Sequence, residues 1–106
     1  MSQPYSLFGF VRAKPEKAAE LEALLLSFVA PTRQEPGCLE YHLHRDQNDP
    51  TRFGFYEVWR SREDLEQHMA LPLIRRFLDH RAEYLIGDLD IHWLDMQSPY
   101  PRAIPT

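Results

Sequence analysis

Residues 38–59 read CLEYHLHRDQNDPTRFGFYEVW, and the fold follows from how this stretch divides. Cys38 to Asp46 alternates, with Leu39, Tyr41 and Leu43 on one face and Glu40, His42 and His44 on the other. That period of two is the mark of a strand with one buried side. Gln47-Asn48-Asp49-Pro50 is turn chemistry, combining side chains that bond their own backbone with a proline of fixed φ. Alternation then resumes: Phe53, Phe55, Glu57 and Trp59 share one face, and Gly54, Tyr56 and Val58 the other. Two such strands around such a turn predict an antiparallel hairpin.

Working outward, each flank supplies one strand and one helix. Upstream, Tyr5 to Ala13 reads as a strand with faces Tyr5, Leu7, Gly9, Val11 and Ser6, Phe8, Phe10, Arg12. Both faces are largely apolar, so both are expected to be covered. Pro15 suits the first turn of a helix, and Leu21, Leu24, Leu25, Phe28 and Val29 form its apolar stripe. Pro31 is expected to end or kink this helix, and Glu35-Pro36-Gly37 to stop it. Downstream, Ser61 stands where an N-cap belongs, with Asp64 at the capping-box position. Leu65, His68 and Met69 face inward; Pro72 restarts helical geometry, with Ile74, Phe77 and Leu78 inward after it. Leu85 to Leu94 alternates again and reads as the last strand. Residues 97–106 carry three of the prolines and are expected to be an arm or a loose tail after a domain spanning 1–96.

Strand, helix, strand, strand, helix, strand is the split βαβ pattern of an α+β, ferredoxin-like domain: a four-stranded antiparallel sheet with its helices on one face. The other face is too apolar for water, and a second copy of the sheet is its simplest cover, so a homodimer is expected. A chain of 106 residues forms one domain and gains from such a partner, since it buries only about two-thirds of its unfolded surface.

Composition narrows the function. The net charge is −4, with Lys+Arg 12 and Asp+Glu 16 interspersed, which leaves no basic stripe for nucleic acid and no polybasic membrane anchor. The apolar runs fall short of a membrane span, and Met1 to Tyr5 lacks the basic and apolar regions of a leader. One cysteine forms no intrachain disulfide and no Cys-based zinc site. The expected compartment is a reducing cytoplasm, and Cys38 is expected to be a small packing residue. His42 and His44 with His92 could begin a metal site, but no Asp or Glu has the spacing to complete one; no metal is expected.

Two segments carry a resemblance. Ala30-Pro31-Thr32-Arg33-Gln34-Glu35-Pro36-Gly37-Cys38-Leu39-Glu40-Tyr41 resembles the PTRxEPGCxxY segment of the antibiotic biosynthesis monooxygenase (ABM) family. So does Phe55-Tyr56-Glu57-Val58-Trp59, followed by an acidic helix containing His68. The resemblance implies a dimeric α+β barrel with a pocket in each subunit between sheet and helices. It also implies a cofactor-independent oxygenase, resembling quinol or polyphenol monooxygenases, that oxidises a small phenol, quinol or anthrone-like aromatic with O₂. A deprotonated electron-rich phenol passes electrons to O₂ itself, so the protein need only bind the ring, favour the phenolate and exclude water. No cofactor is expected.

The residues expected to do this are His68 as base, Trp59 beside the pocket and Glu57 as a second ionisable group on the Trp59 face. An unpaired buried carboxylate is costly, so Glu57 needs a partner or a raised pKa. Phe28, Phe53, Phe55, Tyr41 and Arg33 are the expected substrate contacts, with Arg33 also a candidate to tie the helix end to an acid. The chain departs from its relatives at Leu73, where many carry a second His, and at Phe55, where several oxygenases carry Asn. Haem degradation is disfavoured, since the only Asn is the turn residue Asn48. The alternatives are a non-oxidative binding or isomerase-type protein with a more polar pocket, and an interaction domain with no cavity at all.

Overall fold

A computed structural model describes residues 3–104, and the hairpin forms where the alternation places it. Its strands are β2 (Cys38–Arg45) and β3 (Arg52–Trp59). The turn is held as its composition requires: Asp46 accepts the Asn48 N–H at 2.8 Å, and Asp49 accepts both the N–H and the hydroxyl of Thr51. Around the hairpin lie β1 (Tyr5–Arg12), α1 (Ala18–Ser27), α2 (Val29–Arg33), α3 (Arg62–Met69), α4 (Pro72–Asp79) and β4 (Asp90–Asp95). The four strands form one antiparallel sheet in the order β2-β3-β1-β4, the ferredoxin-like arrangement.

Local chemistry explains the breaks. Pro31 sits in the first turn of α2, where its missing N–H is harmless, but its ring would clash with the carbonyl of Ser27 in a continuous helix. α1 accordingly stops at Ser27. Ser61 caps α3, its hydroxyl oxygen accepting the Asp64 N–H at 3.2 Å while the Asp64 carboxylate takes the Arg60 guanidinium at 2.9 and 3.1 Å. Gly37 is required beside this cap, because a Cβ there would lie 2.2 Å from Asp64 Cγ. The last strand is shorter than its alternation suggests. Leu85 makes an isolated bridge to Ala13, and the chain turns at Gly87, whose φ of 73° suits glycine, before β4 begins.

The helices cover the face bearing Leu7, Val11, Tyr41, Phe53 and Trp59. Under α1 and α4, Val11 and Phe53 pack with Leu21, Leu25, Phe28, Ile74 and Phe77; under α3, Leu7, Tyr41 and Trp59 pack with Leu65. A register shift between Cys38 and Glu40 inserts Leu39 as an extra residue, so Cys38 rather than Leu39 faces Trp59 and joins that cluster.

The outer face is not wholly covered in the single chain. Phe8 is 40% exposed and stacks on Tyr56 at 5.0 Å between ring centroids. Its far row, Glu40–Val58–Ser6–Leu94, is different: Val58 and Ser6 are buried. Here residues 97–104 form an arm folded on their own sheet, and the last two positions of the expected tail lie outside the described residues. The chain leaves β4 at one edge, and Tyr100 donates to Glu40 on the opposite edge at 3.0 Å. Among the described residues no helix is long and apolar enough to cross a membrane.

Candidate functional site

The site grows from one row of the inner sheet face. Registers align Tyr41 (β2), Glu57 (β3), Leu7 (β1) and Trp93 (β4), and the next row is Leu43, Phe55, Gly9 and Ile91. His68 of α3 sits above them. Between sheet and helices lies a cavity of about 60 Å³, room for a few waters. Its floor includes Gly9, where the absent side chain leaves space: a Cβ there would meet nothing closer than 3.8 Å. The walls are Leu, Ile, Phe and Met side chains broken by Tyr41, Glu57 and His68.

His68 is 2% exposed and holds its ring by a 2.8 Å bond from Nδ1 to Glu35 Oε2. An ionised carboxylate can only accept, so Nδ1 is the donor of this bond, and the neutral form of the ring would present its lone pair at Nε2. The imidazole packs on Trp59 at 4.7 Å between centroids and edge-on to Tyr41 at 5.7 Å. Glu57, 7% exposed, accepts the Trp59 indole N–H at 2.9 Å. Burial pushes its pKa up to about 7, opposed by that hydrogen bond and reinforced by the charge of Glu35. Burial also drives the Tyr41 phenol far up, so it stays protonated and cannot serve as a base. The Cys38 thiol is pushed up to about 12 by burial and by Glu35 and Glu57, which leaves it inert as a nucleophile near neutrality.

Of the expected residues, His68, Glu57, Phe28, Phe55 and Tyr41 meet around the cavity. Three do not. Trp59 is fully buried behind His68 and Glu57, and acts on the site through them rather than through an exposed ring face. Phe53 shares the strand face but lies one row too far along, in the core with Val11 and Leu21. Arg33 points to the outside edge, donating to the Tyr41 carbonyl at 2.8 Å and to His42 rather than to an acid. Glu35 was missed because Glu-Pro-Gly reads as a helix stop; its place directly after the helix end, in the segment shared with the family, was the available sign. Trp93 and Met69 were missed as lining residues, since which part of a sheet face stays open depends on where the helices end.

Three of the four histidines outside the cavity have local partners: His42 with Glu40 at 3.2 Å, His92 with Asp90 at 3.0 Å, and His80 with the Arg76 carbonyl at 2.8 Å. Among the described residues no three His, Cys, Asp or Glu side chains converge as a metal-binding group.

Comparison with known proteins bears on the family and the fold. Residues 4–80 match the family described as antibiotic biosynthesis monooxygenase. The crystal structure of PA3566 from Pseudomonas aeruginosa is 36% identical with a TM-score of 0.85, covering 92% of this chain and 98% of that one. From Mycobacterium tuberculosis, a protein named "Putative monooxygenase Rv0793" is 32% identical over 89 residues, 84% of this chain and 82% of its own length. The uncharacterized protein sll1783 of Synechocystis sp. is 34% identical over 88 residues; the match takes in 83% of this chain and 60% of that protein's length.

Proposed function

The chain belongs to the antibiotic biosynthesis monooxygenase family, and on that premise we propose that it oxidises a phenolic or quinol ring with O₂ in the cavity beneath His68. That cavity must widen beyond its present volume of about 60 Å³ to admit the ring. The observation that carries this reading is a buried imidazole, oriented by Glu35 at 2.8 Å, at the wall of a largely apolar cavity. His68 Nε2 takes the phenol proton, and the imidazolium is stabilised by the Glu35 carboxylate behind it. The phenolate gives electrons to O₂; one oxygen atom forms a new ring carbonyl as a C–H bond is lost, and the other leaves as water. Glu57, neutral below about pH 7, keeps a second negative charge away from the phenolate. The apolar walls bind the ring and exclude water, which favours a flat aromatic over a small charged metabolite. A cavity at this place supports this reading over an interaction domain with a filled interior.

Hydroquinones and anthrones incubated with the protein under O₂ test this directly. Substrate-dependent O₂ uptake is expected, with one atom of labelled O₂ in the product and a loss of about 10²- to 10⁴-fold in His68→Ala. Absence of uptake above buffer across the panel overturns the reading. We also propose that a second copy covers the exposed part of the outer face around Phe8 and Tyr56. Light scattering should then show a dimer that Phe8→Asp converts to monomer.

A further inference from the structure

The cavity is small, and two larger surface grooves adjoin it. One, between α1 and α4, shares Phe28 and Phe77 with it; the other, between α3 and β4, shares Met69 and Trp93. The two shared walls differ. Phe28 and Phe77 are both buried and packed edge to face at 6.0 Å, which closes the first route. Met69 is a flexible, half-buried thioether, and Trp93 is 52% exposed although it stands on the inner sheet face. The second route is bounded only by these two side chains, neither of them buried.

We infer that the α3–β4 groove is a second binding subsite, in which Trp93 stacks on a second ring of the substrate whose phenolic ring occupies the cavity. This rests on the function proposed above and adds to it what selects the substrate. Trp93 lies in the same cross-strand row as Glu57, with Leu7 of β1 between them. Two strand spacings separate the two positions, about 10 Å, more than one benzene ring covers and close to the length of two linked rings. The groove holds about 470 Å³, against about 60 Å³ inside. Tyr5 flanks Trp93 at 6.5 Å between centroids, and Leu65 and Met69 form the facing wall. This is a surface for the flat face of an aromatic ring. At the rim Arg62 and Glu66 pair with each other at 3.2 Å, so their charges cancel and the groove favours an uncharged ring. Substrates are then discriminated by what extends beyond the oxidised ring, at a residue remote from His68.

The test compares hydroquinone with 2-phenylhydroquinone by calorimetric titration under anaerobic conditions. The wild-type chain is expected to bind the two-ring probe about tenfold more tightly, the scale of one aromatic stacking contact. Trp93→Ala should collapse that ratio to near one, chiefly by weakening the two-ring probe, and Trp93→Phe should restore most of it. Far-UV circular dichroism confirms that each variant is folded. Binding of both probes with a ratio that Trp93→Ala leaves unchanged overturns the subsite while the proposed function stands. Failure of both probes to bind the folded wild-type protein overturns both, and failure of the two-ring probe alone overturns the subsite.

Discussion

The two ends of the inner sheet face are built on the same strands and covered from the same side, yet they are filled differently. At the end under α1, Val11, Phe53, Leu21 and Leu25 close on one another with no ionisable group among them. Under α3, His68 and Glu57 are buried against the cavity beside the Tyr41 phenol, and each of the two has a fixed partner: Glu35 for His68, and Trp59 for Glu57. Burying such groups is unfavourable even when they are bonded. A sheet that can fill one end with hydrocarbon has no structural need to do otherwise at the other. The contrast therefore separates the part of the molecule that holds the fold from the part to which we assign the proposed chemistry.

The largest effect is expected at the apolar end. Phe53→Ala should destabilise by about 3–5 kcal/mol in urea unfolding, and the function proposed for the other end predicts that any folded fraction keeps its affinity for hydroquinone. Next comes Glu57→Gln. In the folded chain Glu57 holds its proton up to about pH 7, against 4.5 for the ordinary carboxyl. The folded state therefore binds the extra proton between those values and loses stability as pH rises through them. Relative to Glu57→Gln, the wild-type chain should lose about 3 kcal/mol between pH 4.5 and pH 8, an upper value from the size of the displacement, read as the difference in urea midpoints. Gly37→Ala should cost about 1–3 kcal/mol by forcing Asp64 aside, and should broaden the His68 ring signals in NMR, because residue 37 anchors the loop that carries Glu35. The smallest effect has the opposite sign. Gly9→Ala should stabilise by about 0.5 kcal/mol, since its φ is not positive, while its methyl group takes space from the cavity and weakens ring binding.

Most of the fold was legible because it rests on periodicity. The alternation of residues 38–59, the apolar stripes of the helices and the Ser61 cap each declare themselves within a few residues. The site was legible only in part. His68 and Glu57 stood out as polar groups on apolar faces, which is a local sign. Their partners were harder to see, since Glu35 lies 33 residues from His68 in the chain and its own neighbourhood reads as a turn. Phe53 and Phe55 show the limit well. Both lie on the same strand face, yet only Phe55 lines the cavity, because the boundary is set by the helices above and not by the strand.

The arm that runs from β4 to Glu40 has a kinetic consequence. Tyr100 and Glu40 are separated by 60 positions, and their bond spans the sheet from one edge to the other, so it closes only after β4 has paired with β1. Interactions made after the rate-limiting step leave the folding rate almost unchanged and instead slow unfolding. The arm is thus expected to act as a latch set last: it adds little to how fast the sheet assembles and slows its opening modestly.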